Sequence, residues 1–256
     1  MSQPVILQGV GELGGVFARA LLRAGHPVYP VTRDMDPRKI EAEYPEPALV
    51  MLTVGEADLH PALEAMPEAW RQRVGLLQNE LLPRDWEAHG IEAPTVIAAW
   101  FEKKPGQDHK VVIPSPAHGP AAGLLVEALN GLGIPAREVD DAATMRFELV
   151  RKNVYILTTN IAGLECGGTV TDLWQDHQEL ARTVANEVMD IQAWLTGEEL
   201  DREALIQGMV EAFEGDPEHK NTGRSAPARL ARAIEHADAG GLAVPKLREL
   251  HARQTG

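Results

Sequence analysis

The sequence has almost no cysteine. Its single thiol, Cys166, cannot form an internal disulfide, which favours a reducing environment such as the cytoplasm and excludes a cysteine-based metal cluster. The nine histidines show no HExxH motif or comparable ligand spacing. We therefore predict no metal site.

Basic residues are also few, with 24 Lys and Arg against 38 Asp and Glu. Clustered basic residues bind nucleic acids and anionic membranes, so this balance argues against both partners. The basic side chains between Lys220 and Arg253 are expected to be solvated. No apolar run approaches the roughly 18 residues of a membrane span, and the first residues, MSQPVILQG, lack the pattern of a signal peptide. The sequence thus predicts a soluble cytoplasmic protein.

What the sequence does contain is apolar residues in two successive patterns. Short apolar runs alternate with helical segments up to about residue 139, which predicts a doubly wound α/β domain. Beyond residue 141 only helical segments follow, at 172–196, 201–214, 226–239 and 245–253. We predict an α/β protein with an N-terminal Rossmann-type doubly wound sheet, residues 1–140, followed by an all-α C-terminal domain, residues 141–256.

A glycine-rich turn follows the first apolar run. After PVILQ comes GVGELGG, with Gly9, Gly11 and Gly14 in GxGxxG register. In this motif the first glycine permits a tight turn, the second lets a pyrophosphate approach, and the third lets the helix pack on the strand. Glu12 and Leu13 are the first residues of the helix that follows, and their free N–H groups would point at the phosphates. The pattern predicts dinucleotide binding; the alternative is a glycine turn that only packs.

Three later strands extend the predicted cofactor site. HPVYPVT ends at Thr32-Arg33, where an arginine can pair with the 2′-phosphate of NADP(H), although the adjacent Asp34 could instead take the ribose hydroxyl of NAD. ALVMLTV and VGLLQN also end where open sheets bind ligands, although Asn79 at the end of the second run is equally typical of a turn. The predicted cofactor-binding residues are Gly9, Gly11, Glu12, Leu13, Gly14, Thr32, Arg33, Thr53 and Asn79. Between Thr95 and Pro114, two strand-like runs around Pro105-Gly106 predict a hairpin that extends the sheet.

Residues 142–164 predict one long helix. Apolar positions from Phe147 to Leu164 recur at steps of three and four and form one stripe. Asp141 is the expected N-cap and Gly163 the expected end. Lys152 lies opposite the stripe, yet its neighbours on that side, Met145 and Ile156, are apolar. That pattern is not typical of a solvated face.

The same segment resembles a family motif. Ketopantoate reductases carry Glu-Leu-x-x-Lys at the start of a C-terminal helical domain, with asparagines four and eight residues after the lysine. Glu148, Leu149, Arg151, Lys152 and Asn160 fit this pattern, whereas Ile156 replaces the first asparagine. Gln78-Asn79, followed by Glu80 instead of glycine, and GLAVPKLREL near the C-terminus extend the likeness over nearly the whole chain. The sequence is identified as a divergent member of the ketopantoate reductase (2-dehydropantoate 2-reductase) superfamily.

The resemblance implies an NADPH-dependent oxidoreductase that reduces a small-molecule 2-keto acid, with pantothenate biosynthesis as the family's pathway. Lys152 would be the general acid, and Asn160 would orient the substrate. The family's substrate-binding glutamate falls at Ser225, which together with Ile156 suggests a substrate more apolar than ketopantoate. Apolar helices in the second domain favour a homodimer.

Two alternatives remain open. The missing substrate residues favour a catalytically weak NADP(H)-binding sensor or structural protein of the same fold. The other is an oxidoreductase of the hydroxy-acid or opine type, in which a histidine such as His118 serves as base.

Overall fold

The structure, a computed structural model, describes residues 2–255. The chain divides into two compact units, of which the first ends at Leu149 and the second begins at Val150. This division falls inside a helix, Ala142–Cys166, and the predicted boundary between residues 140 and 141 lies just before that helix begins. The assignment of a cofactor domain and a catalytic domain stays a prediction.

The first unit is an α/β unit. Its strands are β1 (Val5–Gln8), β2 (Val28–Val31), β3 (Leu49–Leu52), β4 (Val74–Leu76), β5 (Thr95–Ile97), β6 (Phe101–Glu102), β7 (Lys110–Val111), β8 (Ser115–His118) and β9 (Ala136–Glu138). Its helices are α1 (Glu12–Arg23), α2 (Pro37–Glu43), α3 (Leu59–Glu64), α4 (Pro83–Glu87), α5 (Ala122–Gly131) and the start of α6 (Ala142–Cys166). Two short 3-10 segments, Glu56–Asp58 and Glu68–Arg73, complete it.

Seven strands form one sheet in the order β2-β1-β3-β4-β5-β8-β9. The first five in this order run parallel, β8 runs antiparallel to β5, and β9 runs parallel to β8. β1 and β3 are buried apolar runs, as expected for strands covered on both faces. The sheet confirms the predicted Rossmann-type fold, and it aligns the carboxyl ends of the parallel strands at one edge.

Helices α1 and α5 cover one face of this sheet. Val5 and Leu7 point to the same face of β1 because side chains alternate along a strand, and Phe17 and Leu21 of α1 pack against them in one buried cluster. Burying a side chain of this size contributes about 2–3 kcal/mol. This packing fixes the position of α1, and therefore of the glycine turn that precedes it.

The predicted hairpin extends the sheet only through the start of its first run, where Thr95–Ile97 is β5. β6 and β7 pair with each other as a separate two-stranded ladder. The strand that extends the sheet further is β8, whose sequence SPAH has weak strand propensity and a proline without an N–H donor. Burial holds β8 in place, and its Ser115 Oγ accepts a hydrogen bond from the Trp100 N–H at 2.9 Å.

The described part of the second unit is all-α apart from one isolated bridge between Thr169 and Lys220. After α6 come α7 (Val170–Asp176), α8 (Gln178–Thr196), α9 (Arg202–Gly215), α10 (Ala226–Gly240) and α11 (Pro245–Thr255). The prediction of one helix at 172–196 was wrong, because His177 leaves the helical conformation between α7 and α8. Within residues 2–255, no helix combines the length and the apolarity that a membrane span requires.

The start of helix α6 agrees with the prediction, whereas its end does not. Asp141 caps it as predicted, since its carboxylate accepts the Thr144 N–H at 2.7 Å. Gly163 does not end the helix, which was the expectation. A Cβ on Gly163 would lie 2.8 Å from the Asn221 carbonyl, so glycine is needed there for close approach of another segment.

The middle of α6 is buried on all its sides. Every residue from 148 to 159 is buried, including the side of the helix opposite the predicted apolar stripe. Polar side chains on this stretch find partners in the second unit: Asn153 donates to Gln192 Oε1 at 3.0 Å, and Arg151 Nε donates to the Gly208 carbonyl at 3.1 Å. These hydrogen bonds make burial of the polar side tolerable.

Candidate functional site

The turn between β1 and α1 contains two glycines that packing requires. Gly9 has φ +94°, and a Cβ there would lie 2.9 Å from the Thr53 carbonyl carbon. A Cβ on Gly14 would lie 2.5 Å from the Gly9 carbonyl oxygen. The Thr53 hydroxyl donates to that same oxygen and also lies 3.3 Å from the Gln8 carbonyl. The end of β3 thus holds the turn in shape.

Gly11 differs from both of these glycines. Its φ of -71° suits any residue, and a Cβ there would meet no atom within 4 Å. It is the N-cap of α1 and has no side chain to cap the helix, so the first N–H groups of α1, among them those at Glu12 and Leu13, have no partner within the helix. Such a helix N-terminus binds anions through its N–H groups and its dipole. Packing explains Gly9 and Gly14, whereas for Gly11 both its N-cap position and a diphosphate lying against the backbone favour glycine.

A cavity of about 490 Å³ lies beside this turn. It is lined by the turn, by residues 31–34 at the end of β2, and by residues 53–55 with Asp58. The structure therefore brings together five of the predicted cofactor residues, namely Gly9, Gly11, Thr32, Arg33 and Thr53. The open space above Gly11 and the size of the cavity fit a small-molecule ligand such as the nucleotide half of a dinucleotide.

Arg33 is exposed at the end of this cavity. Its Nη2 lies 2.8 Å from Asp58 Oδ2, with 88% of the arginine side chain exposed, and Asp34 lines the same cavity. An exposed ion pair of this kind contributes at most about 1 kcal/mol. A guanidinium has five donors, so a phosphate can compete for Arg33.

The carboxyl end of β4 is tied to the loop after β3. Gln78 is buried and donates through Nε2 to the Leu52 carbonyl at 2.8 Å. Asn79 donates through Nδ2 to Glu56 Oε1 at 3.1 Å. Asn79 was predicted to contact the cofactor, and in this structure its amide holds the loop that borders the cavity. Gln78 is a positioning residue that sequence reasoning had not assigned a role.

Among the residues that the structure describes, Glu80 is the one non-glycine residue with a positive φ, which is +61°. It stands where the resemblance expects a glycine. The backbone keeps the left-handed conformation although the side chain has changed, at a cost of roughly 1 kcal/mol. Residues held in this conformation are frequent at binding sites.

In the second unit, Lys152, Ile156 and Asn160 form a row along α6. Steps of four residues turn the helix by about 40°, so these side chains share one side. Lys152 is 5% exposed and Ile156 is 9% exposed. Lysine is seldom buried outside paired or functional positions. The row therefore places a buried ammonium, an apolar side chain and a carboxamide in succession.

Asn160 is held by Arg229. Arg229 Nη1 donates to Asn160 Oδ1 at 3.0 Å, and the arginine is only 9% exposed. The expectation that the basic residues from Lys220 to Arg253 are solvated is wrong for Arg229, because α10 buries it against α6. Ser225, at the position of the family's glutamate, is the exposed N-cap of α10 and makes no side-chain cap.

His118 as a catalytic base and Cys166 as a nucleophile are less favourable candidates. His118 lines a cavity of about 640 Å³ that contains no residue of the glycine turn, and β3, β4 and β5 separate its strand from β1. Its Nδ1 lies 3.0 Å from the Val139 carbonyl, which can only accept, so Nδ1 carries the proton. Burial raises the pKa of the Cys166 thiol, which disfavours the thiolate needed for nucleophilic chemistry.

Comparison with known proteins supports the fold. No protein-family model matches the chain, and no curated protein matches it either. Solved structures do match.

A PanE/ApbA family ketopantoate reductase from Ralstonia eutropha JMP134 is 19% identical, with a TM-score of 0.68 over 97% of this chain and 95% of the other. D-mandelate dehydrogenase with NADH is 16% identical, with a TM-score of 0.68 over 98% of each chain. A dimeric ketopantoate reductase from Staphylococcus aureus is 13% identical, with a TM-score of 0.68 over 97% and 96%. The chain has the fold of the ketopantoate reductases, as the sequence resemblance implied.

Proposed function

We propose that this chain is an NADPH-dependent oxidoreductase that reduces a small 2-keto acid, similar to ketopantoate reductase. The observation that supports this most directly is the turn before α1, where Gly11 leaves the helix N-terminus open beside the cavity that contains Arg33. The fold shared with ketopantoate reductases and with D-mandelate dehydrogenase, whose structure contains NADH, supports the same reaction class.

The first unit is proposed to bind the cofactor, which when bound supplies a hydride to the ketone carbon. The N–H groups at Glu12 and Leu13 hold the diphosphate, and Arg33 binds the 2′-phosphate. Asp58 competes for that arginine in the free protein. The preference for NADPH over NADH therefore depends on Arg33.

Fluorescence titration with NADPH and NADH tests the cofactor assignment. Arg33→Ala should raise the Kd for NADPH about tenfold and leave the Kd for NADH unchanged, because it removes a charge-assisted contact to the 2′-phosphate alone. Arg38→Ala, an exposed arginine on α2, is the control. If wild type binds NADH more tightly than NADPH, the choice of NADPH is wrong and Asp34 becomes the ribose-binding residue.

The second unit is proposed to carry the catalytic residues. Lys152 donates a hydrogen bond to the ketone oxygen, stabilises the negative charge that develops there, and delivers the proton. Its burial strengthens this interaction, because water competes less for the ammonium. Asn160, oriented by Arg229, positions the substrate.

The substrate of this reaction is proposed to be more apolar than ketopantoate. Ile156 stands between Lys152 and Asn160, where an asparagine would hydrogen-bond a substrate hydroxyl, and Ser225 replaces a carboxylate. A site without these groups loses its discrimination in favour of a hydroxylated substrate. Ile156→Asn should therefore raise kcat/KM for ketopantoate relative to an unsubstituted branched 2-keto acid.

A panel of 2-keto acids assayed with NADPH tests the reaction. Lys152→Ala should lower kcat by about 100-fold or more while leaving the Kd for NADPH within about twofold, because general acid catalysis contributes 10²–10⁴-fold. Lys220→Ala is the control, since Lys220 is exposed. Turnover that survives the alanine change at residue 152 removes that residue from the mechanism.

The chief alternative is a catalytically weak NADP(H)-binding sensor, favoured by the apolar Ile156 in the row on α6. Tight cofactor binding without turnover of any substrate in the panel would establish it. A homodimer is also part of the proposal, because a dimeric ketopantoate reductase is among the similar structures. Light scattering of the purified chain measures this directly.

A further inference from the structure

Glu12 places a carboxylate at the first turn of α1. The side chain is 44% exposed, and Glu12 is the first residue of the helix. The N-terminus of a helix attracts anions, which suits a carboxylate in the free protein. A bound diphosphate would lie at the same helix end as this carboxylate, and the two anions would repel each other. The chain therefore needs a compensating cation if this turn binds a dinucleotide.

Lys103 supplies a cation at this place. It follows β6, distant in sequence from α1, and its Nζ lies 2.9 Å from Glu12 Oε2 and 2.9 Å from the Lys104 carbonyl. Its side chain is only 21% exposed. An ammonium has three donors, and these two contacts leave a third donor without a hydrogen-bond partner among the described residues.

A second cavity joins this ion pair to the glycine turn. It measures about 370 Å³ and is lined by Gly11, Glu12 and Lys103 together with Arg19, Asp108 and His109. Gly11 borders this cavity as well as the larger one that contains Arg33. A diphosphate lying over Gly11 would thus have Lys103 on one flank.

We propose that Lys103 is a diphosphate-binding residue, paired with Glu12 in the free protein; this rests on the proposed dinucleotide-binding function. When the dinucleotide binds, the ammonium keeps Glu12 neutralised and donates its remaining N–H to a phosphate oxygen. The glycine motif alone does not predict this contact, because the cation comes from the hairpin formed by β6 and β7.

The competing explanation is an ion pair that only fastens the hairpin to α1. That role is already filled by Phe101 of β6, which is buried and lies 5.9 Å from Phe17 of α1 between ring centres. A partly exposed ion pair adds little to such an apolar contact. Cofactor affinity therefore separates the two explanations better than stability does.

The experiment measures the Kd of the full chain for NADPH and NADH by fluorescence titration. Lys103→Ala should raise both values about tenfold, since it removes a charged hydrogen bond and leaves the Glu12 carboxylate facing the phosphates. Glu12→Gln should lower both about threefold by removing that repulsion. In the double variant the loss should be smaller than in Lys103→Ala alone.

Lys104→Ala is the matched control. Lys104 neighbours Lys103 and pairs with Glu102 at 2.9 Å, and its side chain is 58% exposed. Its replacement should leave both Kd values within about twofold, as expected for a screened surface charge. Melting temperatures of the free variants are recorded in parallel.

Two outcomes overturn the inference. If Lys103→Ala binds both cofactors as tightly as wild type while its melting temperature falls, the pair is structural only. If wild type binds neither NADPH nor NADH, the proposed function is lost and this inference with it. Wild-type binding with an unchanged Lys103→Ala variant leaves the proposed function intact and removes the role of Lys103 alone.

Discussion

Three glycines within one turn should respond differently to alanine. Gly14 packs against the Gly9 carbonyl oxygen, whereas Gly11 and Gly15 have no atom within 4 Å of an added Cβ. Gly11 lies at the proposed diphosphate, and Gly15 is an exposed residue of α1. We expect Gly14→Ala to destabilise the fold, Gly15→Ala to stabilise it, and Gly11→Ala to affect mainly cofactor binding.

The magnitudes follow from the contacts. A Cβ on Gly14 would lie 2.5 Å from a backbone oxygen that cannot move aside, which costs about 3 kcal/mol of strain. Alanine regains about 1 kcal/mol of helix propensity, so the net loss is about 2 kcal/mol. Gly15→Ala gains the same helix propensity without the steric strain. The melting temperature should fall by about 6 °C for the first variant and rise by about 3 °C for the second.

Gly11→Ala should lower the melting temperature by about 3 °C at most, because its φ of -71° suits alanine and a Cβ has room, so that only the preference for glycine over alanine at an N-cap is lost. The added methyl group fills the space through which the phosphates reach the N–H groups of α1. Losing one to two charged hydrogen bonds corresponds to about a 100-fold rise in the Kd for NADPH.

Calorimetry and fluorescence titration on the three variants measure both quantities. The decisive comparison is Gly11→Ala against wild type, because Gly15 lines the same cavity as Gly11 and Lys103. An NADPH affinity of Gly11→Ala equal to that of wild type would refute the proposed role of the turn. A Gly14→Ala variant as stable as wild type would refute the packing argument.

Three further predictions concern the second unit. Gly208→Ala should lower the free energy of unfolding by about 2 kcal/mol in denaturant titration, because its Cβ would lie 2.5 Å from Arg151 Nε. Glu187→Gln should cost about 1–2 kcal/mol in the same measurement, since the buried carboxylate accepts two N–H groups that begin α11, at 2.9 and 2.8 Å. The backbone and hydroxyl hydrogen bonds from Thr169 lower the pKa of Asp172, so its stabilising contribution is present above its ordinary pKa and is lost as pH falls through the lowered value. Stability curves of wild type and Asp172→Asn should accordingly converge on acidification below about pH 4; a constant difference would contradict this assignment.

The local features of this protein could be predicted from short stretches of sequence. The turn at Gly9–Gly14 is encoded within one loop, since its backbone geometry and close packing tolerate few residues other than glycine. Helix α6 was predictable because its apolar spacing persists over many turns. The change from alternating strands and helices to helices alone could also be predicted from the sequence, and it indicated the fold class.

Features that depend on partners far apart in sequence were not predictable. Strand β8 has a poor strand sequence and is held by its neighbours, and His177 interrupts an apolar pattern that continues on both sides of it. Gly163 reads as a helix end but serves the approach of Asn221. For β8 and Gly163 a tertiary contact overrode the local signal.

The candidate site shows the same division. The sequence by itself determined that a glycine turn precedes a helix and that a lysine, an isoleucine and an asparagine share one side of α6, because these relations follow from chain geometry alone. Only the tertiary structure decided that Lys103 lies against Glu12, that Gln78 holds the end of β3, and that Arg229 holds Asn160. Side chains that act on a residue elsewhere in the chain leave no pattern in their own neighbourhood, and folding alone brings them together.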